Sequence, residues 1–184
     1  LKSRALSITE EQQMVPDVRQ LFDDLKRVEV HDHSKIGGWT NDEIRDLADK
    51  QVLKAGSVLV VVNTKTSARK IYDLCKQISK AEVYHLSTHM CPAHRTTVLE
   101  QVKSCLIDKK PVICISTQLI EAGVDISFGS VIRFLAGLDS IAQAAGRCNR
   151  NNELYPRLGE VFIINPVEEN IERLEDIRIG KEIT

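Results

Sequence analysis

Aromatic side chains are scarce in this chain: only 4% of its 184 residues are Phe, Trp or Tyr. Bases of single strands stack on aromatic rings, so a stacking platform built from this piece is excluded as its main grip. An excess of one charge is missing too. The 25 Lys and Arg against 26 Asp and Glu leave a net charge of −1, which removes the bulk electrostatic case for tight nucleic-acid binding by this chain alone. No apolar run approaches the ~20 residues a membrane helix needs, and no signal peptide leads the chain. It opens on Leu1, as expected of an excised fragment. The five cysteines (Cys75, Cys91, Cys105, Cys114 and Cys148) contain no CxxC pair and are odd in number. Several stand in apolar surroundings, as Cys114 does in Val112-Ile-Cys-Ile115. That predicts reduced core thiols in a cytoplasmic protein, not a disulfide framework.

What is present is a globular balance, 42% hydrophobic and 28% charged, of a length suited to one α/β domain or one lobe of a larger enzyme. Apolar runs predict strands near Arg27–His31, Val58–Val62, Glu82–Leu86, Val112–Ser116, Val131–Leu135 and Val161–Ile164. The run Val58-Leu-Val-Val-Val62 reads as a strand buried on both faces. Helical patterns lie near Asn41–Lys54, Ser67–Ile78, Pro92–Leu106 and Ser140–Arg147, with a last one near Glu168–Ile179. Thr40-Asn-Asp-Glu43 has the form of a capping box, and Pro92 suits a first helical turn. This alternation predicts a central, mostly parallel sheet with helices on both faces. Residues 1–25 read as a lead-in segment or linker.

In open parallel sheets, ligands bind outside the carboxyl ends of the strands. Polar residues collect there: Asn63-Thr64, Ser87-Thr88-His89, Ser116-Thr117-Gln118 and Asp139-Ser140. Each is also ordinary capping chemistry. The octet Gln143-Ala-Ala-Gly-Arg-Cys-Asn-Arg150, read as helix, places Gln143, Arg147 and Arg150 at i, i+4 and i+7 on one face. Ala144, Ala145 and Gly146 leave room for another backbone. Two guanidiniums on a slim face suit the spread charge of a transferring phosphoryl group, and an amphipathic helix with surface carboxylate partners explains the octet as well. Ser116–Ile126 combines a strand end, a helical turn and a Gly-x-Asp bend. Thr117 and nearby N–H groups suit a nucleic-acid phosphate, Gly123 allows a tight turn, and Asp125 suits a ribose hydroxyl or an arginine. Taken alone, that segment is better accounted for by a capped strand–helix junction with a surface turn.

Together, Ser116–Ile126 and Gln143–Arg150 resemble motifs V and VI of superfamily 2 helicases, and Asn63-Thr64 fits motif IV in position. The phrases His85-Leu-Ser-Thr-His-Met-Cys-Pro-Ala-His-Arg95, Gln118-Leu-Ile-Glu-Ala-Gly-Val-Asp125, Leu138-Asp-Ser-Ile-Ala-Gln143 and Gly146-Arg-Cys-Asn-Arg150 resemble the helicase portion of the CRISPR-associated helicase–nuclease of type I interference systems. The resemblance runs from about Val28 to Pro166. It implies that residues 26–184 form a second RecA-like lobe, the C-terminal motor lobe of an ATP-dependent single-strand DNA helicase. The first lobe would carry the Walker A lysine and Walker B acids and hold most of the ATP and Mg²⁺. This chain has no GxxxxGK[ST] and no acidic box, so it supplies half a site and is expected to be inactive alone. The resemblance gives Arg147 and Arg150 as arginine fingers, Arg150 the better placed, and Gln143 as a γ-phosphate sensor. Gly123, Asp125 and Gly146 would line the nucleotide side, and Thr64, Thr88 and Thr117 would touch the DNA strand. Implied partners are single-stranded DNA, the first lobe and a CRISPR interference complex, with no membrane. Many superfamily 2 members have Arg after the motif VI glutamine where this chain has Ala144, so that contact is not carried over.

Other patterns point elsewhere. His31-Asp32-His33 resembles an HD phosphohydrolase motif, yet further His and Asp ligands on separate helices are wanting in the sequence. His85, His89, Cys91 and His94 have metal-binding residue types without helix-spaced ligands or supporting acids, so no metal site is expected. Lys65, Arg69 and Lys70 read as a solvated helix face. Two alternatives stay open: an RNA helicase lobe, since motifs V and VI do not separate DNA from RNA, and a non-catalytic interaction module of RecA shape.

Overall fold

The computed structural model describes residues 15, 17–87, 89–117 and 125–169. Five helices and six strands follow one another along these residues: α1 Val18–Asp24, β1 Val28–Asp32, α2 Asn41–Ala55, β2 Ser57–Val61, α3 Lys65–Ile78, β3 Glu82–Leu86, α4 Pro92–Ile107, β4 Val112–Ser116, β5 Ser130–Phe134, α5 Leu138–Ala145 and β6 Gly159–Ile164. The strands form one sheet in the order β1-β6-β5-β2-β4-β3. Every pairing is parallel, where the sequence predicted a mostly parallel sheet. The α/β, RecA-like architecture is as expected.

The local reasons are those the sequence offered. The mainly apolar runs become β2, β4 and β5, each buried at all five positions, with Arg133 the one charge among them. The edge strands β1 and β3 are only partly covered. Thr40 and Glu43 make the capping box: Thr40 Oγ1 accepts from the Glu43 amide (3.3 Å), and Glu43 Oε2 accepts from the Thr40 amide (2.9 Å). Pro92 opens α4 in its first turn. One core layer joins Ile44, Ala48 and Val52 of α2 and Ala68, Ile71 and Cys75 of α3 to Val58, Val60, Ile113 and Ile132 of the sheet. The other face packs Val98 and Val102 of α4 and Ile141 and Ala144 of α5 on Leu59, Val61, Cys114, Val131 and Val161. Burying each Val, Leu or Ile among them stabilises the fold by roughly 1.5–3 kcal/mol. Within the lead-in segment α1 forms a single short helix with no buried residue.

Two helix expectations need correction. The helix predicted at Ser140–Arg147, with Gln143, Arg147 and Arg150 on one face, runs instead from Leu138 to Ala145. Arg147 to Arg150 therefore lie beyond it. The cause is a competing partner: Cys148 forms a bridge with Phe128, through Phe128 N–H to Arg147 O and Asn149 N–H to Phe128 O, both 2.8 Å. Asn149 then takes φ +45°, a left-handed conformation that Asn tolerates and a helix does not contain. The last predicted helix, Glu168–Ile179, lies outside the described residues beyond residue 169, and Glu168 and Glu169 themselves are not helical. Among the described residues no helix is long and apolar enough to cross a membrane.

Candidate functional site

Because every strand runs the same way, their carboxyl ends share one edge, and the end of β2 lies between those of β5 and β4. Thr64 caps α3 there: Thr64 Oγ1 accepts from the Ser67 amide (3.1 Å). Thr117 follows β4 and is 7% exposed, and Thr117 Oγ1 finds no hydrogen-bond partner among the described residues. Thr64 and Thr117 thus stand at neighbouring strand ends, an adjacency the sequence did not specify. Thr88 and Gly123 lie outside the described residues.

Beneath this edge sits a residue that the sequence reading missed. Arg133 of β5 is fully buried. It donates through Nη1 to Asn63 Oδ1 (2.6 Å) and to the Phe134 carbonyl (2.8 Å). A charge inside the run Val131-Ile-Arg-Phe-Leu135 was the available signal, since a buried guanidinium needs several acceptors to offset its desolvation. Glu169 was also missed. Its Oε1 accepts from the Asn63 and Thr64 amides, each at 2.9 Å, and its Oε2 from Asn63 Nδ2 at 2.8 Å. Nothing in the sequence foretold that contact.

The arginines of the octet lie elsewhere. Arg147 O, Asn149 and Arg150 bond to Phe128, Arg27 and Ser127, residues that precede β5 and β1. The foot of α5 therefore meets the amino edge of the sheet, opposite Thr64 and Thr117. Arg150 is mounted by its main chain: its N–H donates to Ser127 Oγ (3.0 Å), and its carbonyl accepts from the Arg27 guanidinium. The Arg150 side chain stays 40% exposed and meets Asp125, with Nε 3.0 Å from Oδ1. Arg147 is 6% exposed. Burial first, and then the nearby Arg150, pushes the Arg147 guanidinium below its ordinary value, while Asp125 pulls it back up. Gln143 is exposed in the last turn of α5, and Gly146 caps that helix. Gly159 seats this loop: a Cβ there would stand 2.6 Å from Cys148 Sγ and 2.9 Å from Asn149 Cβ. So the structure unites Arg147, Arg150, Asp125 and Gly146 at one edge, and Thr64 and Thr117 at the other. A cleft of about 560 Å³ beside Asn149 is lined by Gly56, Lys109, Lys110 and Arg157, but by neither Arg147 nor Arg150.

The other patterns are tied up in packing. The His31 ring stacks on Phe162 (5.2 Å) and the His33 ring on Trp39 (6.3 Å). His85 packs against Tyr72, and His89 meets Lys65. Arg69 pairs with Asp73 at 3.0 Å and Lys70 with Glu168 at 3.6 Å. Among the described residues no three His, Cys, Asp or Glu side chains gather as a metal site. Burial pushes the thiols of Cys75, Cys114 and Cys148 up to about 12, which makes them core side chains and not nucleophiles.

Comparison with known proteins agrees with this frame. Residues 54–153, just over half of the chain, match the family described as CRISPR-associated nuclease/helicase Cas3, C-terminal. The Cas3 of Haloferax volcanii is 43% identical over 88 residues, 46% of this chain and 9% of that protein. The Cas3 of Methanothermobacter thermautotrophicus is 33% identical over 129 residues, 67% of this chain and 15% of that protein. The solved structure of T. fusca Cas3 with AMPPNP superposes with a TM-score of 0.64 at 21% identity, over 79% of this chain and 19% of that one, a likeness of fold. The chain thus spans under a fifth of the length of each of these relatives. From the matched family and the RecA-like sheet together, the chain belongs to the Cas3-like C-terminal family, as a RecA-like lobe of the superfamily 2 helicase kind.

Proposed function

We propose that this chain is the C-terminal motor lobe of an ATP-driven single-strand DNA helicase or translocase of the cytoplasm, working in CRISPR interference. The observation that carries the reading is the mounting of Arg150. Its backbone is held on both sides, by Ser127 and by Arg27, while its guanidinium is half-exposed and, among the described residues, tied to a single exposed carboxylate. A planar, permanently charged fork, rigid at its base and free at its tip, is what stabilises charge spreading over a transferred phosphoryl group.

In this reading the first lobe of the same protein holds ATP and Mg²⁺, the latter neutralising phosphate charge, and closure brings the foot of α5 against the nucleotide. Arg150 then serves as the finger. Arg147, buried behind it, keeps a second positive charge beneath the site. Gln143 faces the same gap from the exposed side of α5, Asp125 orients Arg150 or the ribose, and Gly146 lets the first lobe approach the end of the helix. At the far edge Thr64 and Thr117 meet the backbone of the tracking strand. The unpartnered Thr117 hydroxyl supports that role, because a buried hydroxyl without a partner costs about 1–3 kcal/mol unless a ligand supplies one.

The test is ATP hydrolysis by the full-length protein with and without single-stranded DNA, for wild type and Arg150→Ala. DNA-stimulated turnover should fall by ~10³–10⁵ with ATP binding kept. Equal turnover would make Gln143–Arg150 a structural element and leave an interaction module as the better reading. Stimulation by RNA in place of DNA would move the assignment to an RNA helicase.

A further inference from the structure

The chain leaving β6 does not turn into solvent. It runs beside Trp39, which donates to the Asn165 carbonyl (2.8 Å) while Val167 N–H donates to the Trp39 carbonyl (2.9 Å). Glu168 then accepts from Asn41 Nδ2 at the head of α2 (2.6 Å) and lies 3.6 Å from Lys70 of α3. Glu169 completes this strap by laying its carboxylate on the Asn63 and Thr64 amides and on Asn63 Nδ2. Three donors converge on one carboxylate at the head of a 14-residue helix, where the helix dipole favours negative charge. A fully buried guanidinium, Arg133, donates to Asn63 Oδ1 and so turns the amide with Nδ2 toward Glu169, which shares that donor with the Leu135 carbonyl (3.2 Å). The cradle is therefore built for an anion, and in this structure the anion is the chain's own.

We propose that Glu169 is an internal competitor for a nucleic-acid phosphate at the junction of β2 and α3. The inference rests on the reading that Thr64 and its neighbours touch a DNA backbone. Each main-chain amide carries one hydrogen, so the Asn63 and Thr64 amides serve either Glu169 or a phosphate, not both. A carboxylate left beside a phosphodiester also repels it. Strand binding must therefore lift Glu169 and loosen the strap.

The experiment is single-stranded DNA binding by the full-length protein, read as anisotropy of a labelled oligothymidine, for wild type, Glu169→Gln and Glu169→Asp. Loss or shortening of the carboxylate should tighten binding about tenfold, the order of one hydrogen bond to a charged group. Inorganic phosphate should compete more strongly with the oligonucleotide in Glu169→Gln than in wild type. Amide hydrogen exchange adds a readout independent of DNA: Asn63 and Thr64 should exchange faster in Glu169→Gln. Unchanged or weaker DNA binding by both variants, with wild type still binding, would overturn the competitor and leave the helicase reading standing, since Glu169 would then be only a structural latch. Absence of DNA binding in every form, with the Asn63 and Thr64 amides exchanging faster in Glu169→Gln, would overturn both.

Discussion

Two arginines mark two regions of this lobe, and they are held in opposite ways. Under the carboxyl edge, Arg133 is fully buried and its guanidinium is committed to Asn63 Oδ1 and the Phe134 carbonyl. At the foot of α5, Arg150 is pinned through its backbone by Ser127 and Arg27, and its side chain meets the exposed carboxylate of Asp125. A buried charge must satisfy its donors inside the protein, so the protein spends Arg133 on architecture. An exposed ion pair is worth only ~0–1 kcal/mol, so the proposed exchange of this partner for a phosphate costs little. The difference teaches where to look for function: at the charge whose base is fixed and whose tip is not.

Exchanging the readouts is the strongest way to break the comparison. Arg150→Ala should cut DNA-stimulated ATP turnover by ~10³ or more while leaving stability to denaturant within about 0.5 kcal/mol of wild type. A large loss of stability in that variant would put Arg150 in the same structural class as Arg133. Arg133→Met should do the reverse and lower stability by about 1–3 kcal/mol, because Asn63 Oδ1 and the Phe134 carbonyl lose their charged donor. Replacing a buried ion by an apolar side chain can be neutral when both partners go. Here the acceptors remain, so loss outweighs relief. An unchanged denaturation midpoint would mean that water or rotation of Asn63 satisfies them.

Asp125→Asn sharpens the comparison by a smaller step. If the exposed pair only parks Arg150, kcat should move by less than about fivefold. If Asp125 also lines the nucleotide side, the KM for ATP should rise while kcat holds, the pattern of lost uniform binding. A fall in kcat as large as that of Arg150→Ala would show that the carboxylate aims the finger.

How far the sequence went follows from the same physics. The strands were legible because β2, β4 and β5 are buried on both faces, and so read as continuous apolar runs wherever they sit in the fold. The starts of α2 and α4 were legible because capping is local, a matter of Thr40 with Glu43 or of Pro92. The segments proposed for the site were legible as motifs, but where the structure places their residues was not. Helical spacing put Gln143, Arg147 and Arg150 on one face, whereas the bridge between Phe128 and Cys148, twenty positions apart in the chain, ends the helix before Arg147. Pairings at that separation leave no local pattern. Arg133 did leave one, a cation inside an apolar run. Glu169 left none, since its partners are 105 and 106 positions away.

The smallest expected effect concerns a side chain at the carboxyl-edge side that, unlike Arg133, makes no hydrogen bond to an acceptor through Nε2 among the described residues. His85 of β3 packs against Tyr72 with ring centroids 5.7 Å apart, and its Nε2 is buried without a partner among the described residues. Burial lowers its pKa below the ordinary value, the cation of Arg69 lowers it further, and Asp73 offsets part of the shift. The sign follows from which state takes the proton. Above about pH 6.5 both folded and unfolded chains carry neutral His85, and nothing is lost. Below it the unfolded chain binds a proton that the folded one refuses, so stability falls as pH drops through the interval down to the folded pKa. His85→Gln removes that titration. Its denaturation midpoint should therefore decline less than wild type between pH 7.5 and 5.5, and parallel declines would show that His85 takes its proton in the folded state, with the edge supplying an acceptor as it does for Arg133.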